Sequence, residues 1–220
     1  MAKDKLKARA KAHIKYKQLS GKHVAGITTI LNLLTDANIL ARWANNLGLE
    51  GINSSTYVDT LARVGTCVHY MIECDLQDME PEFNDFTPNE LEKARSVYKK
   101  YEDWKSQHTL VMVAMERPLV SELYPFGGTG DFFGFVDGKF SYIDFKTSKG
   151  CYLNHKVQAV ACAKLWQEKV GDIVEEIRIL RFGRNEKEGF EEIHVNQHEK
   201  MWKMFLLCLD VYELNKELAK

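Results

Sequence analysis

Asp137-Gly138 stands between two apolar segments, Phe126–Val136 and Phe140–Lys146. This dipeptide is a strong signal for a two-residue hairpin, because both turn positions need a left-handed backbone. The turn folds the second segment back along the first and brings Asp131 toward Asp144. In a strand, residues two apart point to the same side. Tyr142, Asp144 and Lys146 are therefore expected on one face, with Ile143 and Phe145 turned into the core.

The rest of the chain must be arranged around this hairpin. Ile27 to Leu34 is apolar except for Thr28, Thr29, Asn32. Asp36 is a cap for a helix through Leu40 and Trp43 to about Leu47, where Gly48 and Gly51 break the pattern. Leu61, Val64, Val68 and Ile72 recur at helical spacing and predict a helix from about Tyr57 to Leu76. Pro88 opens a third, charged helix to about Gln107. Leu110 to Met115 reads as a strand bounded by Glu116-Arg117-Pro118. After the hairpin come a helix from about Asn154 to Lys169, strands at Ile177–Phe182 and Phe190–Val195, and a closing helix from about Gln197 to Leu218. This order predicts an α/β fold, a central mixed β-sheet flanked by helices.

Composition is that of an ordinary globular domain: 220 residues, 45% hydrophobic and 28% charged. The apolar runs are too short for a membrane-spanning helix, and the charged start, from Lys3 onward, does not read as a secretory signal. The five cysteines form no C-x-x-C pair, as expected for reduced thiols in the cytoplasm. The net charge is -1, but residues 1–22 carry eight basic residues against one acid, Asp4. This divides the chain into a basic N-terminal arm, 1–23, and a body, 24–220. Such an arm suits contact with phosphates, or it is a solubilising tail.

The chemistry is concentrated in Gly128-Thr-Gly-Asp131 and Ile143-Asp144-Phe145-Lys146-Thr147. Two converging carboxylates repel unless a cation neutralises them. A hard divalent ion such as Mg²⁺ does so while keeping water and phosphate oxygens in its shell. Lys146, at the edge, is then placed to orient a water or to stabilise charge on a phosphate. Taken alone, Asp-x-Lys favours a surface salt bridge on a strand.

The combination resembles the PD-(D/E)XK nuclease superfamily, in particular its RecB-like exonuclease branch. Ile27-Thr-Thr-Ile30-Leu, followed by Leu40-Ala-Arg-Trp43-Ala, is similar to the N-terminal segment of phage and mitochondrial members. Gly65-Thr66-Cys67-Val68-His69 resembles that branch's G-T-x-x-H motif. Glu116-Arg-Pro-Leu119 precedes the G-G-x-x-D motif, Gly127 to Asp131, and Gln158 sits where the branch has a Q-x-x-x-Y helix. The resemblance spans about residues 24–183 and implies a restriction-endonuclease-like core. It implies Asp131, Asp144, Lys146 and Gln158 as catalytic residues. It also implies Mg²⁺ or Mn²⁺ held by His69, Asp131, Asp144 and the backbone carbonyl of Phe145. Glu73 and Glu116 are further acids near this set, with no role assigned.

The sequence departs from the pattern in two places. Position 162 is cysteine where tyrosine is usual, leaving Tyr152 or Trp166 to fill the space. Only Cys208 lies near the end, in place of the cysteine triplet of iron–sulfur members, so no iron–sulfur cluster is expected. The implied partner is DNA, as single strands or duplex ends, with no membrane, in a bacterial cell or one infected by phage. A structure-specific endonuclease on the same core, or a catalytically inactive DNA-binding module, are the alternatives. Polarity and oligomeric state are not written in these motifs.

Overall fold

The computed structural model describes residues 5–7 and 14–219. The basic side chains Lys3, Arg9 and Lys11 of the N-terminal arm lie outside the described residues. Strands β1 (Lys5–Lys7), β2 (Tyr16–Lys17) and β3 (His23–Gly26) come first, then a short helix α1 (Ile27–Leu31) and α2 (Ala37–Leu49). Helix α3 (Ser54–Leu76), strand β4 (Glu80–Glu82) and helix α4 (Pro88–Lys105) follow. Strands β5 (Leu110–Val120), β6 (Phe126–Val136) and β7 (Lys139–Lys146) form the meander. Helix α5 (Leu153–Val170), strands β8 (Glu176–Phe182) and β9 (Phe190–His194), and helix α6 (His198–Leu218) complete the chain.

Local chemistry sets the boundaries. The Asp36 carboxylate accepts from the Asn38 and Ile39 amides, and Asn53 from Thr56, so each helix starts on a side-chain cap. Thr87 and Glu90 form a reciprocal capping box around Pro88, which needs no amide partner at the first helical position. The hairpin turn has φ of 51° at Asp137 and 85° at Gly138, both left-handed as the dipeptide requires.

The main sheet runs β2-β3-β6-β7-β8-β9, with β5 also paired to β6. β7 and β8 are parallel, and β6 is antiparallel to both β5 and β7. The sheet is therefore mixed, and helices cover both of its faces. On one side Phe133, Tyr142 and Ile179 pack under Val160, Trp166 and Phe205 of α5 and α6. On the other, Phe132, Ile143, Phe145 and Phe182 pack under Val64, Val68, Ile72 and Tyr101 of α3 and α4. This is a restriction-endonuclease-like architecture.

Three expectations need correction. The face bearing Tyr142 and Asp144 is as buried as that of Ile143 and Phe145, because α5 lies across it; Tyr142 and Asp144 are both 0% exposed. β5 does not stop at Glu116-Arg117-Pro118 but continues to Val120, with Pro118 opposite Thr129. Because β5 is bonded only to β6 among the described residues, the missing proline amide costs no ladder bond on its outer side. Residues 16–17, within the basic arm of the sequence reading, belong to the sheet. The Tyr16 ring lies over Gly127, where a Cβ would come within 2.5 Å of it, and its hydroxyl is 3.0 Å from Thr129 Oγ1.

Candidate active site

The site forms where the sheet forks. β6 pairs with β7 from Val136 back to Phe132, while β3 joins the same strand at Phe126 and Gly127. In the gap between them stands Asp131. Its Oδ2 accepts a 2.9 Å hydrogen bond from the Phe145 amide, taking the place of a ladder carbonyl. On the neighbouring strand Met115 pairs with Phe132 and Arg117 with Gly130, so Glu116 stands across from Asp131. Glu116 has φ of 45°, which costs a non-glycine residue about 1–3 kcal/mol. Like charges directly opposite in a sheet add repulsion. A cation held between the two carboxylates would offset that repulsion.

Helix α3 supplies a third donor. Gly65 lets it approach the end of β7: a Cβ there would lie 2.7 Å from Thr147 Oγ1. One turn later His69 meets the fork. Its Nδ1 is 3.4 Å from Glu116 Oε1 and 3.8 Å from Asp131 Oδ1. Its Nε2 is 3.1 Å from the Phe145 carbonyl oxygen. With the proton on Nε2, the imidazole donates to that carbonyl and turns its Nδ1 lone pair toward the carboxylates. One ligand atom from each of His69, Glu116 and Asp131 lies within 4.8 Å of the others.

Asp144 and Lys146 sit beside this cluster rather than in it. Asp144 Oδ2 is 2.6 Å from the Lys146 ammonium, and its Oδ1 accepts a 3.3 Å hydrogen bond from the Tyr142 hydroxyl. Burial pushes the Asp144 carboxyl up, Asp131 adds to the shift, and the Lys146 charge opposes it. Burial alone would lower Lys146, but Asp144 and Asp131 outweigh it and raise the ammonium, which stays charged. His155, on the first turn of α5, is pushed down to about 4 by burial and then by the Lys146 charge, so it is neutral near pH 7.

Gln158 lies half-buried on α5, and its amide makes no hydrogen bond among the described residues. Glu73, one turn beyond His69, accepts from Gln77 Nε2 at 3.2 Å and is not among the converging donors. The space beside Cys162 is filled by neither Tyr152, which is 54% exposed, nor Trp166, which stacks on Phe133. Tyr142 fills it from β7. Its hydroxyl lies between the Cys162 thiol and Asp144, and burial holds it well above the usual tyrosine range, so it remains a donor.

Glu116 is the member of the cluster to which sequence reasoning assigned no role. Its Glu-Arg-Pro setting marked it, but its place opposite Asp131 depends on the β5–β6 register, which includes a shift between Met112 and Ala114. The donor set fits a small divalent cation. Carboxylate and carbonyl oxygens suit Mg²⁺ and Mn²⁺, and the imidazole is accepted better by Mn²⁺.

The sequence matches no protein-family profile and no curated protein sequence. Among solved structures, the chain is similar to a candidate exonuclease from Eubacterium rectale, with a TM-score of 0.50 and 13% identity. That similarity covers 71% of this chain and 65% of the other, so the chain spans less than two thirds of that protein's length. An alkaline exonuclease from Laribacter hongkongensis aligns over 59% of this chain and 72% of its own, at 11% identity and a TM-score of 0.30, too slight a likeness to weigh. The likeness to the first of these structures is one of fold.

Proposed function

We propose that the chain is a metal-dependent deoxyribonuclease that hydrolyses phosphodiester bonds, acting as an exonuclease on single-stranded DNA or DNA ends. The observation that carries this reading is the meeting of His69, Glu116 and Asp131 at the fork of the sheet, with the Asp144–Lys146 pair alongside. Asp131, Asp144, His69 and the Phe145 carbonyl would hold Mg²⁺ or Mn²⁺, and Glu116 joins them. When bound, such an ion supplies an activated water and a polarised phosphoryl oxygen.

The chain's own groups do the rest. Asp131 ties its carboxylate to the Phe145 amide and so fixes the distance between β6 and β7 at the fork. Tyr142 orients Asp144 from beneath. Lys146 keeps its proton beside Asp144 and is placed at the strand end to stabilise charge developing on the phosphate. Gln158, with its amide unused inside the protein, is available to a DNA phosphate or to Lys146.

His69→Ala is expected to weaken metal affinity more than it lowers the melting temperature, and raised Mn²⁺ is expected to restore part of the activity. Calorimetric metal titration and thermal melting on one preparation check this. Normal metal affinity in the variant would remove His69 from the site. The choice between exonuclease and endonuclease rests on the path of the DNA, since the chemistry is shared. Linear DNA is expected to be degraded to short products while covalently closed circles of the same sequence stay intact. Nicking or linearisation of the circles would establish the endonuclease alternative instead.

A further inference from the structure

Aromatic and basic side chains that the metal site does not use gather at one end of the sheet. β7 and β8 run parallel, with Lys146 opposite Arg181, so the segments that follow them leave the sheet at the same end. In open α/β sheets, ligands bind outside the carboxyl ends of parallel strands. α3 reaches this end as well. His69 lies against Phe145 and Gly65 against Thr147, so the helix runs antiparallel to β7 and its N-terminal half continues past the strand end. Tyr57, about 12 Å along the helix from Gly65, is on that half.

Trp43 of α2 lies against Tyr57, with ring centroids 6.1 Å apart. From the other face of the sheet, the start of α5 presents Tyr152 and His155, with centroids 5.3 Å apart. Trp43 is 37% exposed and Tyr152 54%. Arg184, just after β8 at the same strand end, pairs with Glu188 at 2.8 Å. A single exposed aromatic ring on a protein surface is ordinary. Two pairs flanking the same strand ends, with Lys146 at the end of β7, match the recurrent way proteins hold single strands: bases stack on rings while the backbone follows positive charge.

We propose that Trp43, Tyr57, Tyr152 and His155 form a stacking track for the bases of single-stranded DNA, along which the strand is led to Lys146. The proposal rests on the nuclease reading above and names its substrate. Paired bases are stacked on one another and offer no free faces to such rings, so a duplex does not engage the track unless its end is frayed.

The test measures binding of the full chain in EDTA, where cleavage is not expected, to three labelled probes of equal length. These are an oligothymidylate, an oligomer of abasic deoxyribose phosphate, and a blunt duplex. Trp43→Ala and Tyr152→Ala change exposed side chains, and Trp43→Phe and Tyr152→Phe keep a ring. Each alanine variant is expected to bind oligothymidylate about tenfold more weakly, the phenylalanine variants close to wild type, and the abasic probe alike in all. Three results would each overturn the track: wild-type binding equally tight to the abasic probe, alanine variants unchanged on oligothymidylate, or an equal loss on the duplex. Cleavage by the same preparations in Mg²⁺ keeps the two readings apart. A protein that cleaves DNA but shows one of these results loses the track alone, whereas one that neither binds nor cleaves DNA loses both.

Discussion

Lys146→Ala is expected to slow DNA cleavage by about 10²–10³-fold, the usual effect of removing one group aimed at developing charge. The side chain ends β7 with its ammonium 2.6 Å from Asp144, and it is 17% exposed. It therefore borders solvent, while Asp144 is wholly buried. DNA affinity is expected to change little, because one cation among several contributes only a small share of the phosphate contacts. The fold is expected to tolerate the loss, at a cost. Without its cation, the Asp144 carboxyl would be pushed further up than burial already pushes it. Asp144→Asn removes the carboxylate charge and is expected to be inactive as well. Single-turnover cleavage rates, measured beside melting temperature and DNA binding, distinguish a lost catalytic group from a lost fold. Wild-type turnover in a folded Lys146→Ala protein would remove the lysine from the mechanism.

Much of this architecture is legible in the sequence because it rests on local chemistry. The Asp36 cap, Pro88 at the start of the third helix, the Asp137-Gly138 turn and the helical spacing of Val64, Val68 and Ile72 each act over a few residues, and each lies where the sequence places it. The pairing of Asp131 with the second segment follows from the same turn. What the sequence does not show depends on distant parts of the chain. The short strands Tyr16–Lys17 and His23–Gly26 have no apolar alternation to mark them and exist because β6 offers a free edge. Pro118 reads as a strand end and is instead tolerated on an edge strand. Burial of Asp144 follows from α5 crossing the sheet, which no spacing within β7 reveals.

The site divides along the same line. Asp131, Asp144, Lys146 and His69 are picked out by motif spacing, and the structure brings His69 to Asp131 and Lys146 to Asp144. Glu116 enters through register and a left-handed backbone, and Tyr142 through the small volume of Cys162, neither of which is encoded nearby. Asp144 stands beside the His69–Glu116–Asp131 cluster, with its Oδ1 held by Tyr142 and its Oδ2 2.6 Å from the Lys146 ammonium.

Chelation is expected to have the largest effect of all. Glu116 and Asp131 face each other on adjacent strands with His69 beside them, an arrangement that a divalent ion would stabilise and that its removal would expose to repulsion. The most direct measurement is cleavage of linear DNA by the purified chain in excess EDTA, then after restoring Mg²⁺ or Mn²⁺ above the chelator. The proposal predicts no detectable cleavage in EDTA and full recovery on restoring either ion. Undiminished cleavage in EDTA, or none with either ion present, would contradict it.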